Sequence, residues 1–242
     1  MTMTERTMRD LVLENTNVAS IFEKYELDYC CHGNIKLADA CKKKFIDTTK
    51  VTREIEETGR SGSLQHISQW RIPFLIQYII ENHHRYVKEA IPAISLHLSK
   101  CVESHDTRYP MLAEVQSIFS RMASELQTHM MKEEKILFPS IILMVDCLEK
   151  NQPMGSMPFD AIAYPIGMMR FEHEIAGNEM IKIHEMLNDL TPSDDACTTM
   201  KLVYKELGEF EQDLHRHVFL ENFVLFPKAE KLERDLLVAA GD

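Results

Sequence analysis

The chain has 242 residues, a length that suits one large domain or one medium domain with a small appendage, and 45% of them are hydrophobic, an ordinary supply for a globular core. Its formal net charge of −11 does not attract a phosphate backbone, which argues against nucleic acid as a partner. The N-terminus lacks the apolar core of a signal peptide, and no window approaches the roughly 20 apolar residues of a membrane span. The best run, Ile136 to Val145, is broken by Pro139 and Ser140, so a cytoplasmic protein is expected.

Only 8 Gly and 9 Pro interrupt the chain, which favours long helices over strands and turns. Short helices are expected at Met8–Leu13, Val18–Tyr25 and Ile35–Lys43, with a further turn or helix from Asp47 to Glu57. Residues 1–58 thus read as a small helical domain. Residues 59–66, which include Gly59-Arg60-Ser61-Gly62-Ser63, read as a linker.

Residues 67–242 read as four long amphipathic helices. The first covers Ile72–Cys101, with a kink expected at Pro92, and the second Met111–Leu148. A Pro-, Gly- and Met-rich loop, Asn151 to Phe159, separates them from a third at Ile162–Leu190 and a fourth at Asp195–Leu237. Apolar residues recur at helical spacing, as in Leu207, Phe210, Leu214 and Val218. The fold class is therefore all-α: an antiparallel up-down four-helix bundle with a small helical N-terminal domain.

An internal repeat carries the chemistry. His129-Met-Met-Lys-Glu133 and His217-Val-Phe-Leu-Glu221 each open an HxxxExxxLFP segment, and they lie 88 residues apart on helices two and four. His84 precedes His129 by 45 residues, and His173 precedes His217 by 44. Residues four apart share a helix face, so each His–Glu pair projects to one side. An antiparallel partner brings His84 level with His129 and His173 level with His217. Two such hairpins facing each other converge four imidazoles and two carboxylates, a donor set suited to iron or manganese and unlike a thiolate zinc site. Ferritin-like bundles use Glu-x-x-His, so that subclass does not fit.

Neighbouring residues leave alternatives open. Spacing barely separates His83 from His84, whereas only His217, and not His215, sits four before a Glu. Glu125 and Asp213 lie one turn before His129 and His217, placed either to orient an imidazole or simply to face water. His66, His97 and His184 have no repeat partner and are expected at the surface. The six cysteines form no CxxC pair and are expected as reduced thiols. Cys41, Cys101, Cys147 and Cys197 fall in or beside helices and read as structural. Vicinal Cys30 and Cys31, beside a glycine in an expected loop, are either accessible functional thiols or small buried hydrophobes, with function favoured.

The HxxxExxxLFP pair, Phe171-Glu-His173-Glu and Asp28-Tyr-Cys30-Cys31-His-Gly33 together resemble the Repair of Iron Centers family, across essentially the whole chain. That family joins a small ScdA-like N-terminal domain to a hemerythrin-like di-iron domain. The resemblance implies a stress protein with two non-haem iron ions, oxo- or hydroxo-bridged, held by His84, His129, Glu133, His173, His217 and Glu221. It assigns catalytic, redox or metal-transfer work to Cys30 and Cys31, and it implies damaged iron–sulfur proteins as partners. Monomer and homodimer stay open. The family also has a His at the position of His105. In this chain that residue is expected at the hairpin tip, roughly 30 Å from His84 at about 1.5 Å per helical residue.

Three functions follow from this pattern. The first is an iron donor for repair of iron–sulfur clusters damaged by nitrosative or oxidative stress. The second is a di-iron oxidoreductase acting on nitric oxide or oxygen. The third is an oxygen- or iron-sensing module without turnover.

Overall fold

A computed structural model of the chain describes residues 2–58, 67–105, 108–152, 155 and 157–241, with the side chains of 239–241 excepted. The expected Gly59–Ser63 linker and His66 lie outside the described residues, as do Pro153, Met154 and Ser156 of the expected central loop.

The first 58 residues form four short helices: α1 (Met8–Glu14), α2 (Val18–Lys24), α3 (Leu37–Lys43) and α4 (Thr48–Glu57). Thr7 caps α1 by accepting the Asp10 N–H, and Asp47 caps α4 by accepting that of Thr49, which satisfies backbone donors the helices leave open. Phe22, Tyr29, Leu37, Cys41 and Val51 are fully buried at the centre. Each large apolar side chain removed from water there contributes about 1.5–3 kcal/mol.

The remainder is four rods. The first comprises α5 (Ile72–Tyr78), a π-helical stretch (Ile79–His84) and α6 (Arg85–His105). The second comprises α7 (Met111–Lys132), a π stretch (Glu133–Leu137) and α8 (Phe138–Glu149). The third is α9 (Ala163–Met186), and the fourth joins α10 (Thr198–Leu220), a π stretch (Glu221–Leu225) and α11 (Phe226–Gly241). Rod one packs its start on the end of rod two and its end on the start of rod two, and α6 likewise meets the start of rod four. The rods therefore alternate up and down. Among the described residues no helix is long and apolar enough to cross a membrane.

Helix boundaries differ from the expectation in three places. Pro92 lies inside α6, which continues to His105, because Val87, Ile91, Ile94 and Leu98 bury one stripe on both sides of the proline. The irregularity of rod one is instead the π stretch at Ile79–His84. The third helix stops at Met186, and Asn188, Asp189 and Leu190 follow with φ of 51°, 52° and 52°. The fourth begins at Thr198, where Sγ of Cys197 accepts the Met200 N–H in place of the usual hydroxyl or carboxylate cap.

The N-terminal unit docks on rod four. The Tyr29 ring lies 5.6 Å from that of Phe219 and edge-on to His215, Arg216 pairs with Glu23 at 3.2 Å, and Arg9 covers Phe223. Gly33 is the tightest point, since a Cβ there would collide with the Tyr29 carbonyl and the Phe223 ring. The docking face is thus residues 215–223, the outer side of the second His–Glu pair.

Candidate metal centre

Each part of the repeated HxxxExxxLFP segment has a place. A helix in α register would bond the residue-139 N–H to the carbonyl of residue 135, and Pro139 has no such donor. The helix instead widens, and the Phe138 N–H bonds the Glu133 carbonyl five residues back. In the second copy the Phe226 N–H bonds the Glu221 carbonyl ahead of Pro227. Both π stretches begin at the glutamates, and the one in rod one ends at His84. Such stretches recur at functional sites because they re-aim side chains from an otherwise rigid rod. The motif phenylalanines stack on imidazoles of the partner rod: Phe138 on His84 at 5.7 Å and Phe226 on His173 at 6.1 Å.

All six expected residues meet inside the bundle. His84 and Glu133 and Glu221 are 0% exposed, and His129, His173 and His217 are 1% exposed. They form two groups, His84/Glu133/His217/Glu221 and His129/Glu133/His173/Glu221, whose donor atoms lie within 4.8 Å of one another. Nε2 of His84 is 3.2 Å from that of His217, and Nε2 of His173 is 3.1 Å from that of His129. Two donors at right angles about 2.1 Å from one metal stand about 3.0 Å apart, so each pair is spaced as the edge of one coordination sphere. Each glutamate reaches both groups. Oε2 of Glu133 lies 3.4 Å from His84 and 3.3 Å from His129. Glu221 faces His217 at 3.0 Å through Oε1 and His173 at 2.9 Å through Oε2.

The donor set fits cations. Neither oxygen of buried Glu133 has a hydrogen-bond partner, and Oε2 of Glu221 has none of proper geometry despite its nearness to His173. A buried carboxylate oxygen without a partner costs several kcal/mol, so the two oxygens of Glu133 and Oε2 of Glu221 call for positive charge. Electrostatics inside agree. Burial works to raise the Glu221 carboxyl, yet His217, His173 and His84 hold it well below the usual carboxylate range. Burial works to lower His84, yet Glu133 and Glu221 push it up to about 10. Burial dominates at His217 and depresses it, favouring the neutral imidazole that ligation requires.

The groups behind the imidazoles differ from the expectation. The open choice between orienting acids and a solvated face resolves separately for Glu125 and Asp213. Glu125 is exposed, and Asp213 accepts from His83 at 2.8 Å rather than from His217. The acids on the imidazoles are Glu134, which accepts from Nδ1 of His84 at 2.8 Å, and Glu172, which accepts from Nδ1 of His129 at 2.9 Å. Asn222 does the same for His173 at 3.1 Å. Each such bond places the ring proton on Nδ1 and turns the Nε2 lone pair toward the centre. The hydrogen bond to His129 first, then Lys132, holds the Glu172 carboxyl down at about 2. A signal for these residues was present: Glu134 and Asn222 each follow one of the two converging glutamates, and Glu172 precedes His173. His83 occupies the position matching Glu172, one before the first-helix His. It stacks on His217 at 5.7 Å and leaves Nδ1 of His217 without a hydrogen bond.

The remaining expected residues lie elsewhere. Nε2 of His105 sits 3.2 Å from Sγ of Cys197, away from both groups. His97 pairs with Glu206 at 2.8 Å and His184 with Glu211 at 3.2 Å, half-buried rather than fully at the surface. The thiol pair is only partly accessible: Cys31 is half-buried, but Cys30 is buried, and its carbonyl accepts from the Asn222 amide of rod four at 3.2 Å. Cys41, Cys101 and Cys147 are buried.

Fold and site together define a metal-binding helical bundle of the hemerythrin kind. Residues 75–229 match the family described as Hemerythrin HHE cation binding domain, and residues 4–58 match ScdA_N, a domain of unknown function. The chain is 33% identical to the iron-sulfur cluster repair protein YtfE of Citrobacter koseri over 229 residues, covering 95% of this chain and 98% of that one. Proteins of the same name from Escherichia coli and Escherichia fergusonii are 32% identical over 225 residues, covering 93% of this chain and 96% of each. The chain belongs to the Repair of Iron Centers family that these relatives form.

Proposed function

We propose that this protein helps repair iron–sulfur clusters damaged by nitrosative or oxidative stress, and that it does so as an iron donor. The observation that carries the reading is the pair of four-residue groups sharing Glu133 and Glu221. In this reading His84 and His217 hold one iron, His129 and His173 hold a second, and the two glutamates bridge them, with an oxo or hydroxo group completing the pair. Imidazole and carboxylate donors without thiolate hold iron firmly enough to store and loosely enough to release. The names of the relatives supply the acceptors, damaged iron–sulfur proteins. Residues 1–58, carrying Cys30 and Cys31, form the unit that meets the acceptor.

A second reading, a di-iron oxidoreductase acting on nitric oxide or oxygen, draws support from a surface groove of about 330 Å3 beside His129, lined by Leu126, Met168, Phe171 and Ile175 together with Lys132 and Glu172. It offers a small molecule an approach to His129. One experiment separates the readings. Iron-loaded protein is mixed with an iron–sulfur protein stripped of part of its cluster. Stoichiometric movement of iron supports donation, and catalytic loss of added nitric oxide supports the oxidoreductase. Neither outcome leaves the sensing module.

A further inference from the structure

We infer that Asp28, Cys30 and Cys31 form a second, mononuclear metal site that holds one thiophilic divalent ion in exchangeable form. For its cargo, ferrous iron, the inference rests on the iron-donor reading; for its ligands it does not. The three donor atoms lie within 4.8 Å of one another. Sγ of Cys30 is 3.8 Å from Sγ of Cys31 and 3.3 Å from Oδ1 of Asp28. Two sulfurs about 2.3 Å from a tetrahedral ion stand about 3.8 Å apart, so the thiols already have the spacing of one coordination edge.

The carboxylate has a structural duty as well. Oδ1 of Asp28 accepts from the N–H of Cys30 at 3.1 Å and of Cys31 at 2.9 Å, and Nδ1 of His32 bonds Oδ2 at 2.5 Å. A capped turn explains those bonds, but it needs neither sulfur drawn in beside the acid. A divalent ion at this spot would replace the two thiol protons and neutralise the carboxylate. The two protons leave to solvent as two sulfur–metal bonds form, with no change of oxidation state. A disulfide between the two is disfavoured, because adjacent Cα atoms stand about 3.8 Å apart and disulfides usually need about 4.4 Å or more.

Three protein donors leave a fourth position open, the mark of a site that exchanges its ligand rather than a closed structural one. Cys31 and His32 line a cleft of about 480 Å3 together with Arg9, Arg170, Glu174 and Asn222, the last two being the chain neighbours of His173 and Glu221. An ion held at Cys31 would therefore border the same cleft as residues beside two of the six converging side chains.

The test uses the full chain with its bundle metal in place and Co(II) as the probe. One equivalent of Co(II) should produce a thiolate-to-cobalt charge-transfer band and release close to two protons. Cys30→Ser with Cys31→Ser should lose the band, and Asp28→Asn, which keeps the turn, should weaken Co(II) binding by at least about tenfold, since losing a direct donor costs no less than losing a residue that orients one. Glu133→Leu with Glu221→Leu should keep the band, so failure of the bundle site and failure of this one read separately. Absence of the band and of proton release in the unaltered protein overturns the inference without reliance on any variant. So does a band that survives loss of both thiols.

Discussion

Oδ1 of Asn222 accepts the Nδ1 proton of His173 at 3.1 Å, while the amide nitrogen of the same side chain donates to the Cys30 carbonyl at 3.2 Å. One residue thus orients a candidate ligand and anchors the thiol loop. Asn222→Leu should lower iron affinity roughly 10–100-fold and speed alkylation of Cys30. Asn222→Asp, which keeps the acceptor and loses the donor, should hold iron while still freeing the loop. Chelator competition and thiol-labelling rates measure the two effects; equal iron retention in Asn222→Leu and the unaltered protein would rule out the orienting role.

Glu133 and Glu221 are both fully buried, and Glu133 has no hydrogen bond to either oxygen. Glu133→Leu with Glu221→Leu should abolish stable binding of two irons while the far-ultraviolet circular dichroism stays helical. Unchanged iron stoichiometry would refute the shared-ligand assignment.

The Gly33 backbone passes between the Tyr29 carbonyl and the Phe223 ring with no room for a Cβ. Gly33→Ala should therefore destabilise the chain by about 1–3 kcal/mol, the usual cost of overpacking. Cys30 should become reactive toward iodoacetamide as the loop lifts. A Cys30 that stays protected at an unchanged urea midpoint would show that the loop docks by other contacts.

The hydrogen bond that His184 donates to Glu211 raises His184 above its ordinary 6.5 against the opposing effect of burial, with Glu26 and Asp189 adding to it. The folded protein therefore binds this proton more tightly than the unfolded chain does. The resulting stabilisation is complete below pH 6.5 and fades as pH rises through the higher folded value. His184→Gln should flatten that part of the stability profile. The ring is half-exposed, so the effect is modest, and urea midpoints across neutral pH measure it. A slope identical with and without His184 would count against it.

Much of this architecture is legible in residue order. The HxxxExxxLFP repeat named four of the six converging residues, and the upstream gaps of 45 and 44 pointed to His84 and His173, although spacing barely separated His84 from His83. The phenylalanines of the motif were visible, but their stacking on His84 and His173 was not, since it joins different rods. Glu125 and Asp213 had the right spacing along their helices and the wrong surroundings across them.

Residue order alone brings out the repeated His and Glu and the helices they ride on, because face and period follow from the chain's own geometry. Contacts between rods set which acid meets which imidazole, and that Cys30 is covered while Cys31 borders a cleft. Those outcomes depend on packing between segments up to 192 residues apart, as in the bond from Asn222 to Cys30, and no local spacing encodes such a distance.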